Sequence, residues 1–206
     1  MSLTAADTVI VLDFETTGLS PAQGERAIEI GAVKLEGGVI TERFQQLMNP
    51  GCRVSGFIEN YTGISNAMLT SAPPCETVMA EFAQFIEGYN LVAHNASFDQ
   101  KFLEAELARL GYRQTYPFAC SMLTARRLYQ QAPNHKLGTL VRYKQLPTDG
   151  TFHRALADAE MTAHLWLAML DDLQREHAVA APDFKLMQRL GKTAKGAVAG
   201  LLARHR

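Results

Sequence analysis

The chain has 206 residues, 47% of them hydrophobic and 20% charged, with a formal net charge of −1. That length suits one core, since a domain typically takes about 100 to 200 residues, and the near-zero charge excludes a wholly basic nucleic-acid-binding module, so any contact with nucleic acid must be local. No stretch approaches the roughly 20 apolar residues of a membrane span, and the start MSLTAAD lacks the basic and apolar regions of a secretory signal.

The expectation is therefore a cytoplasmic protein with no membrane partner. Cys52, Cys75 and Cys120 are odd in number, widely spaced and without a CxxC pair, so they read as reduced thiols. Charge is uneven: beyond residue 180, Lys185, Arg189, Lys192, Lys195, Arg204 and Arg206 face only Asp183. Residues 1–175 are expected to form the main domain and 176–206 a basic helical tail, with Phe184, Met187 and Leu190 at helical spacing.

In chain order, TVIVLDF over 8–14 is a near-continuous apolar run, the pattern of a strand buried on both faces. IEIGAVKL and VITERFQQLMN read as two further strands joined at Gly37-Gly38, giving an antiparallel meander closed by Asn49-Pro50-Gly51. A loop-rich stretch follows in which Ser65 caps a short helix carrying Met68 and Leu69. ETVMAEFAQFIEG has amphipathic helical spacing and ends near Gly88; LVAH is a short strand; and Ser97 is placed to cap the helix FDQKFLEAELARLG. After a strand over YPFAC come helical patterns in SMLTARRLYQ and KLGTLVRYKQL. A polar loop, PTDGTF, precedes the last strong helix, RALADAEMTAHLWLAMLDDL. The pattern predicts a mixed α/β domain with a five-stranded sheet flanked by helices.

Four features bear on chemistry. Asp13 and Glu15, two apart on a strand, lie on one side of it, and two carboxylates there repel unless a cation neutralises them; hard oxygen ligands of this kind suit Mg²⁺ or Mn²⁺. Acidic residues also mark ordinary strand exits. Thr16-Thr17-Gly18 permits close backbone approach to a ligand, or is a plain turn. His94, Asn95, Phe98 and Asp99 fall at a strand-to-helix junction, where Asp99 serves a helix dipole equally well and His94 a structural role. His153 precedes the last helix and Asp158 lies about one and a half turns beyond it; a loop histidine titrates near working pH and can take a proton from water.

Taken together, DFETTG ending the first strand, HNASFD at a strand-to-helix junction and an H-x4-D pair opening the final helix resemble the DEDDh exonuclease family over about residues 8–172. The resemblance implies a ribonuclease H-like fold and 3′–5′ exonuclease activity releasing nucleoside 5′-monophosphates. It also implies that Asp13, Glu15, Asp99 and Asp158 hold two divalent ions, Mg²⁺ with Mn²⁺ able to substitute, and that His153 is the general base. Thr16, Thr17, His94, Asn95 and Phe98 match positions contacting the terminal nucleotide. One departure is visible: Tyr61-Thr62 stand where an Ile-His pair is frequent, which bears on how the terminal base is wedged.

Expected substrates are single-stranded or frayed DNA 3′ ends, on the likeness of ETTGLSP to the DNA-proofreading branch, with RNA 3′-end trimming as the alternative. An accessory role in a DNA polymerase or repair assembly is a further alternative. Homodimerisation is left open, because no self-complementary patch is legible. The tail packs on the domain, tracks phosphates or docks on a partner.

Overall fold

The first apolar run becomes β1 (Val9–Thr16). The structure, a computed structural model, describes residues 4–148, 150 and 153–205. Residues 1–3, residues 149, 151 and 152 of the expected polar loop, and Arg206 of the basic tail lie outside the described residues. β2 (Ala27–Glu36) and β3 (Val39–Leu47) continue as an antiparallel meander, turned at Gly37 and Gly38, whose positive φ angles of 58° and 79° suit glycine. β4 (Leu91–Ala93) and β5 (Phe118–Cys120) add in parallel on the other side of β1. The order is β3-β2-β1-β4-β5, the mixed five-stranded sheet read from the pattern.

The helices, in chain order, are α1 (Gly56–Thr62), α2 (Asn66–Ser71), α3 (Cys75–Phe85), α4 (Ser97–Arg109), α5 (Ser121–Leu128), α6 (Leu137–Tyr143), α7 (Ala155–His177), α8 (Phe184–Lys192) and α9 (Val198–Leu202). Two details differ from expectation. α1 lies in the stretch read as loop, started by the Ser55 hydroxyl accepting from the Ile58 amide; its seven residues are too short to show a period. Ser97 is the first helical residue of α4 and not its cap, because Asn95, at φ 73°, has already turned the chain into the helix.

Alternation along β1 divides the core. Val9 and Val11, with Val33 and Leu35 of β2, pack on Leu165, Trp166, Met169 and Leu173 of α7. Ile10, Leu12 and Phe14 pack on Val78, Met79 and Phe82 of α3 and on Phe102, Leu103 and Leu107 of α4. Each fully buried large side chain contributes about 1.5–3 kcal/mol. Trp166 also donates from Nε1 to the Ala6 carbonyl at 2.7 Å, tying α7 to the start of the chain.

The tail closes the same core. Phe184, Met187, Leu190, Val198, Leu201 and Leu202 are buried in the cluster that α7 lines. The Phe184 amide donates to the Thr4 carbonyl at 2.8 Å. Lys185, Arg189 and Lys192 of α8 stay exposed on the opposite side.

Candidate active site

The two faces of β1 decide what its end presents. Asp13 and Glu15 continue the series of Val9 and Val11, so they face α7, and their partners across β2 are Gly31 and Glu29. β4 pairs with β1 only at Ile10 and Val11 and ends at Ala93, so the sheet opens between the two strands at their C-terminal ends. That opening is where parallel α/β sheets bind ligands. It also leaves Phe14, paired with Ile30 of β2, without a partner on the β4 side: its amide donates to Asp99 Oδ1 at 3.2 Å, which draws the first turn of α4 against β1.

α7 supplies the opposite wall. Gly31 lies directly beneath its start: a Cβ there would stand 2.1 Å from the Leu156 amide nitrogen, so only glycine lets the helix sit this low on the sheet. Asp158 lies on the buried stripe of α7 with Ala155, Ala159 and Thr162. Ligand oxygens of Asp13, Glu15 and Asp158 consequently come within 4.8 Å of one another. Asp158 Oδ2 accepts from the His153 amide at 2.9 Å, and His153 adopts φ 62° just before the helix.

Burial and mutual repulsion push these carboxyls toward their neutral forms. Asp13 is held well above the usual carboxylate range by burial first, then by Asp99, Asp158 and Glu15. Burial, then Asp158 and Glu29, raise Glu15 to about 8. Asp99, 2% exposed, is raised to about 8 by burial against the opposing Phe14 amide. Asp158 is raised by burial and partly relieved by the His153 amide. Among the described residues no ion pair offsets Asp13, Glu15 or Asp158, the nearby Arg154 being engaged with Glu29. All-oxygen donors this close, with no protein cation paired to them among the described residues, are the donor chemistry a hard divalent ion requires.

The carboxylates open into a cleft of about 760 Å³, lined also by Thr16, Thr17, Asn95, Phe98 and His153. An apolar rim surrounds it. Leu19, Phe57 and Tyr61 are 85%, 72% and 50% exposed, Phe57 stacks on Tyr61 with centroids 5.8 Å apart, and Tyr61 packs on the His153 ring at 4.0 Å. Sequence reasoning missed Phe57 and the contact of Tyr61 with His153, since both depend on α1. It also missed Glu29 and Gly31, although a glutamate and a glycine inside an apolar strand are signals of a partner and of a close approach.

Asp99, expected among the metal ligands, stays outside the group of Asp13, Glu15 and Asp158 and does not line the cleft, its carboxylate accepting from the Phe14 amide. His94 is turned away from the cleft as well. Its Nδ1 is 2.8 Å from the Ser121 hydroxyl and its Nε2 2.9 Å from the His135 carbonyl, so both ring nitrogens are engaged behind the cleft. Burial lowers its pKa to about 4, keeping the ring neutral. The left-handed turn at Asn95 is the reason: it brings Asn95 into the cleft and leaves His94 on the α5 side.

The sequence profile of the Exonuclease (RNase_T) family matches residues 10–166. The DNA polymerase III PolC-type of Caldanaerobacter subterraneus is 39% identical over 165 residues, covering 80% of this chain but 12% of that protein. The 3′-5′ exonuclease DinG of Bacillus subtilis is 37% identical over 187 residues, and this chain spans 19% of its length. The DNA polymerase III subunit epsilon of Aquifex aeolicus is 33% identical over 186 residues, 90% of each chain. Among solved structures, exonuclease X in complex with 5′ overhanging duplex DNA has a TM-score of 0.67 at 26% identity, covering 89% of this chain and 99% of its own. On the profile match, the full-length likeness to an epsilon subunit and the shared ribonuclease H-like fold, the chain belongs to the DEDDh family of 3′–5′ exonucleases.

Proposed function

We propose that the protein works as a two-metal 3′–5′ exonuclease on single-stranded or frayed DNA ends, with Asp13, Glu15, Asp99 and Asp158 holding the ions and His153 as general base. The observation carrying this reading is the convergence of Asp13, Glu15 and Asp158 oxygens within 4.8 Å at the foot of an open cleft. Mg²⁺ is the expected ion, with Mn²⁺ able to replace it on the same oxygen ligands.

When bound, divalent ions supply a nucleophilic water and offset charge on the leaving oxygen. His153, exposed at the rim with its amide fixed on Asp158, takes the proton from the attacking water. The water oxygen bonds to phosphorus, the bond from phosphorus to the 3′-oxygen of the preceding nucleotide breaks, and that oxygen acquires a proton from solvent. A nucleoside 5′-monophosphate leaves. Phe57, Tyr61, Leu19 and Phe98 offer the terminal bases a stacking surface that tolerates any sequence, while Thr16, Thr17 and Asn95 present polar groups to the sugar.

DNA is favoured by the relatives, named as DNA polymerase III chains and as an exonuclease held on duplex DNA. The epsilon subunit matched over 90% of its length also favours association with a polymerase or repair assembly, in the cytoplasm; co-purification of a polymerase tests that partner. The activity is tested with 5′-labelled single-stranded DNA and RNA in Mg²⁺, Mn²⁺ or EDTA, alongside Asp13→Ala and His153→Ala. A metal-dependent ladder shortening from the 3′ end, faster on DNA and lost in both variants, is expected. Faster loss of RNA moves the reading to RNA 3′-end trimming, and no shortening by folded, metal-loaded protein overturns it.

A further inference from the structure

Glu29 sits where a carboxylate costs most. It faces Glu15 directly across the β1–β2 pair, is 0% exposed, and is flanked along its strand by Ile28 and Ile30. Like charges opposed on neighbouring strands repel, and this pair adds to the repulsion already present among Asp13, Glu15 and Asp158. A buried carboxylate in such a place is retained only with donors for its lone pairs.

The donors are specific. Arg154 reaches it with Nε at 3.1 Å and Nη2 at 2.8 Å, a fork on both carboxylate oxygens. The Ala155 amide, the first of α7, donates at 3.1 Å, and Gln45 Nε2 on β3 donates at 3.0 Å. A forked guanidinium fixes orientation as well as distance. The gripped segment is Arg154 and Ala155, the two residues that follow His153 and open α7, and Glu29 holds it from the strand that carries Gly31 two residues further along. Arg154 and Ala155 thus join Glu29 at the start of the helix that bears Asp158, one residue after His153.

We propose that Glu29, acting through Arg154 and the Ala155 amide, is a positioning residue that fixes the start of α7, so that Asp158 meets Asp13 and Glu15 and His153 stands over the cleft. This rests on the active-site reading above. Glu29 touches neither substrate nor reacting atoms.

Charge alone and position predict opposite signs for one substitution, which makes the test decisive. Arg154→Met removes a cation next to an anionic site, so electrostatics alone would tighten divalent-ion binding; loss of the clamp would weaken it. Mn²⁺ affinity is measured by calorimetric titration of the full chain without nucleic acid, for wild type, Arg154→Met, Arg154→Lys, Glu29→Gln and the Glu29→Gln/Arg154→Met double variant. Weakening on the order of 10–100-fold is expected for both single variants, with a smaller loss in Arg154→Lys and a double variant no worse than the worse single. With oligonucleotide, kcat falls while KM changes little. Unchanged or tighter Mn²⁺ binding by Arg154→Met, or losses that multiply in the double variant, would overturn the proposal. Should Arg154→Met fail to fold with Glu29 left unpaired, Arg154→Lys and the charge-free double variant decide on the same readout. Because the titration needs no turnover, a wild type that binds Mn²⁺ yet degrades nothing defeats the exonuclease reading without defeating this one.

Discussion

Glu15 gives the sharpest test of the electrostatic account of the site, because its replacement should make the metal-free protein more stable while destroying the site's purpose. Its carboxyl rises from an ordinary 4.5 to about 8, through burial first and then Asp158 and Glu29. Since the folded value lies above the unfolded one, the neutral form is favoured by folding. The associated stability is complete below about pH 4.5 and is withdrawn as pH climbs through 8. At about 1.4 kcal/mol per pKa unit the full withdrawal approaches ~5 kcal/mol, and relaxation and water penetration bring it nearer to ~2 kcal/mol.

Glu15→Gln keeps the shape of the neutral acid and cannot ionise. In EDTA at pH 8 it should melt about 4–8 °C above wild type, taking about 2–4 °C per kcal/mol for a chain of this size, whereas at pH 4.5 the two should coincide. Added Mg²⁺ reverses the order at pH 8, because a ligand that binds only the folded state stabilises only the protein able to hold it. Differential scanning calorimetry at both pH values, with and without Mg²⁺, reads all four conditions. An equal advantage at pH 4.5 and 8, or none at pH 8, would refute the reasoning that ionic repulsion strains the empty site.

Three further outcomes follow from the same geometry. Metal uptake must displace protons from Asp13, Glu15 and Asp99, so apparent Mg²⁺ affinity should rise steadily from pH 6 to 8; calorimetry in buffers of differing ionisation enthalpy would show the released protons, and a pH-independent affinity would contradict the raised values. Gly31→Ala drives a methyl into the α7 backbone at 2.1 Å, so denaturant unfolding should report a loss of about 1–3 kcal/mol, and activity should fall as the helix lifts Asp158. Phe57→Ala, at a residue 72% exposed, should leave the melting temperature in place and raise KM for oligonucleotides about 5- to 150-fold, since stacking on an aromatic is worth about 1–3 kcal/mol per base.

The fold was legible because its signals are local. Period-2 and period-3.6 patterns, the Gly37-Gly38 turn and the apolar run of β1 each act over fewer than about a dozen residues, and they place the strands and the long helices close to where they stand. What escaped was short or conditional: α1, too brief to show a period, and the start of α4, where the φ of Asn95 and not the hydroxyl of Ser97 opens the helix. The placement of His94 escaped for the same reason. Its place beside Asn95 in the sequence says nothing about which of the two a left-handed turn brings into the cleft, and the Ser121 and His135 partners that hold it lie 27 and 41 residues away.

The site divides along the same line. Asp13 and Glu15 announce themselves because two carboxylates in an apolar strand need an explanation, and Glu29, in AIEIGAV, needs one equally. The difference is that the partners of Glu29 are Arg154 and Ala155, residues 125 and 126 positions away, and nothing in either segment alone specifies the other. A buried charge in a strand therefore states that a donor exists without naming it, and only the packing of α7 on Gly31 decides that the donor comes from the turn bearing the proposed general base. With α7 positioned through Glu29, the acidic residue of β2 and the arginine after His153 form one unit with the four carboxylates. Neither can then be changed alone without moving Asp158.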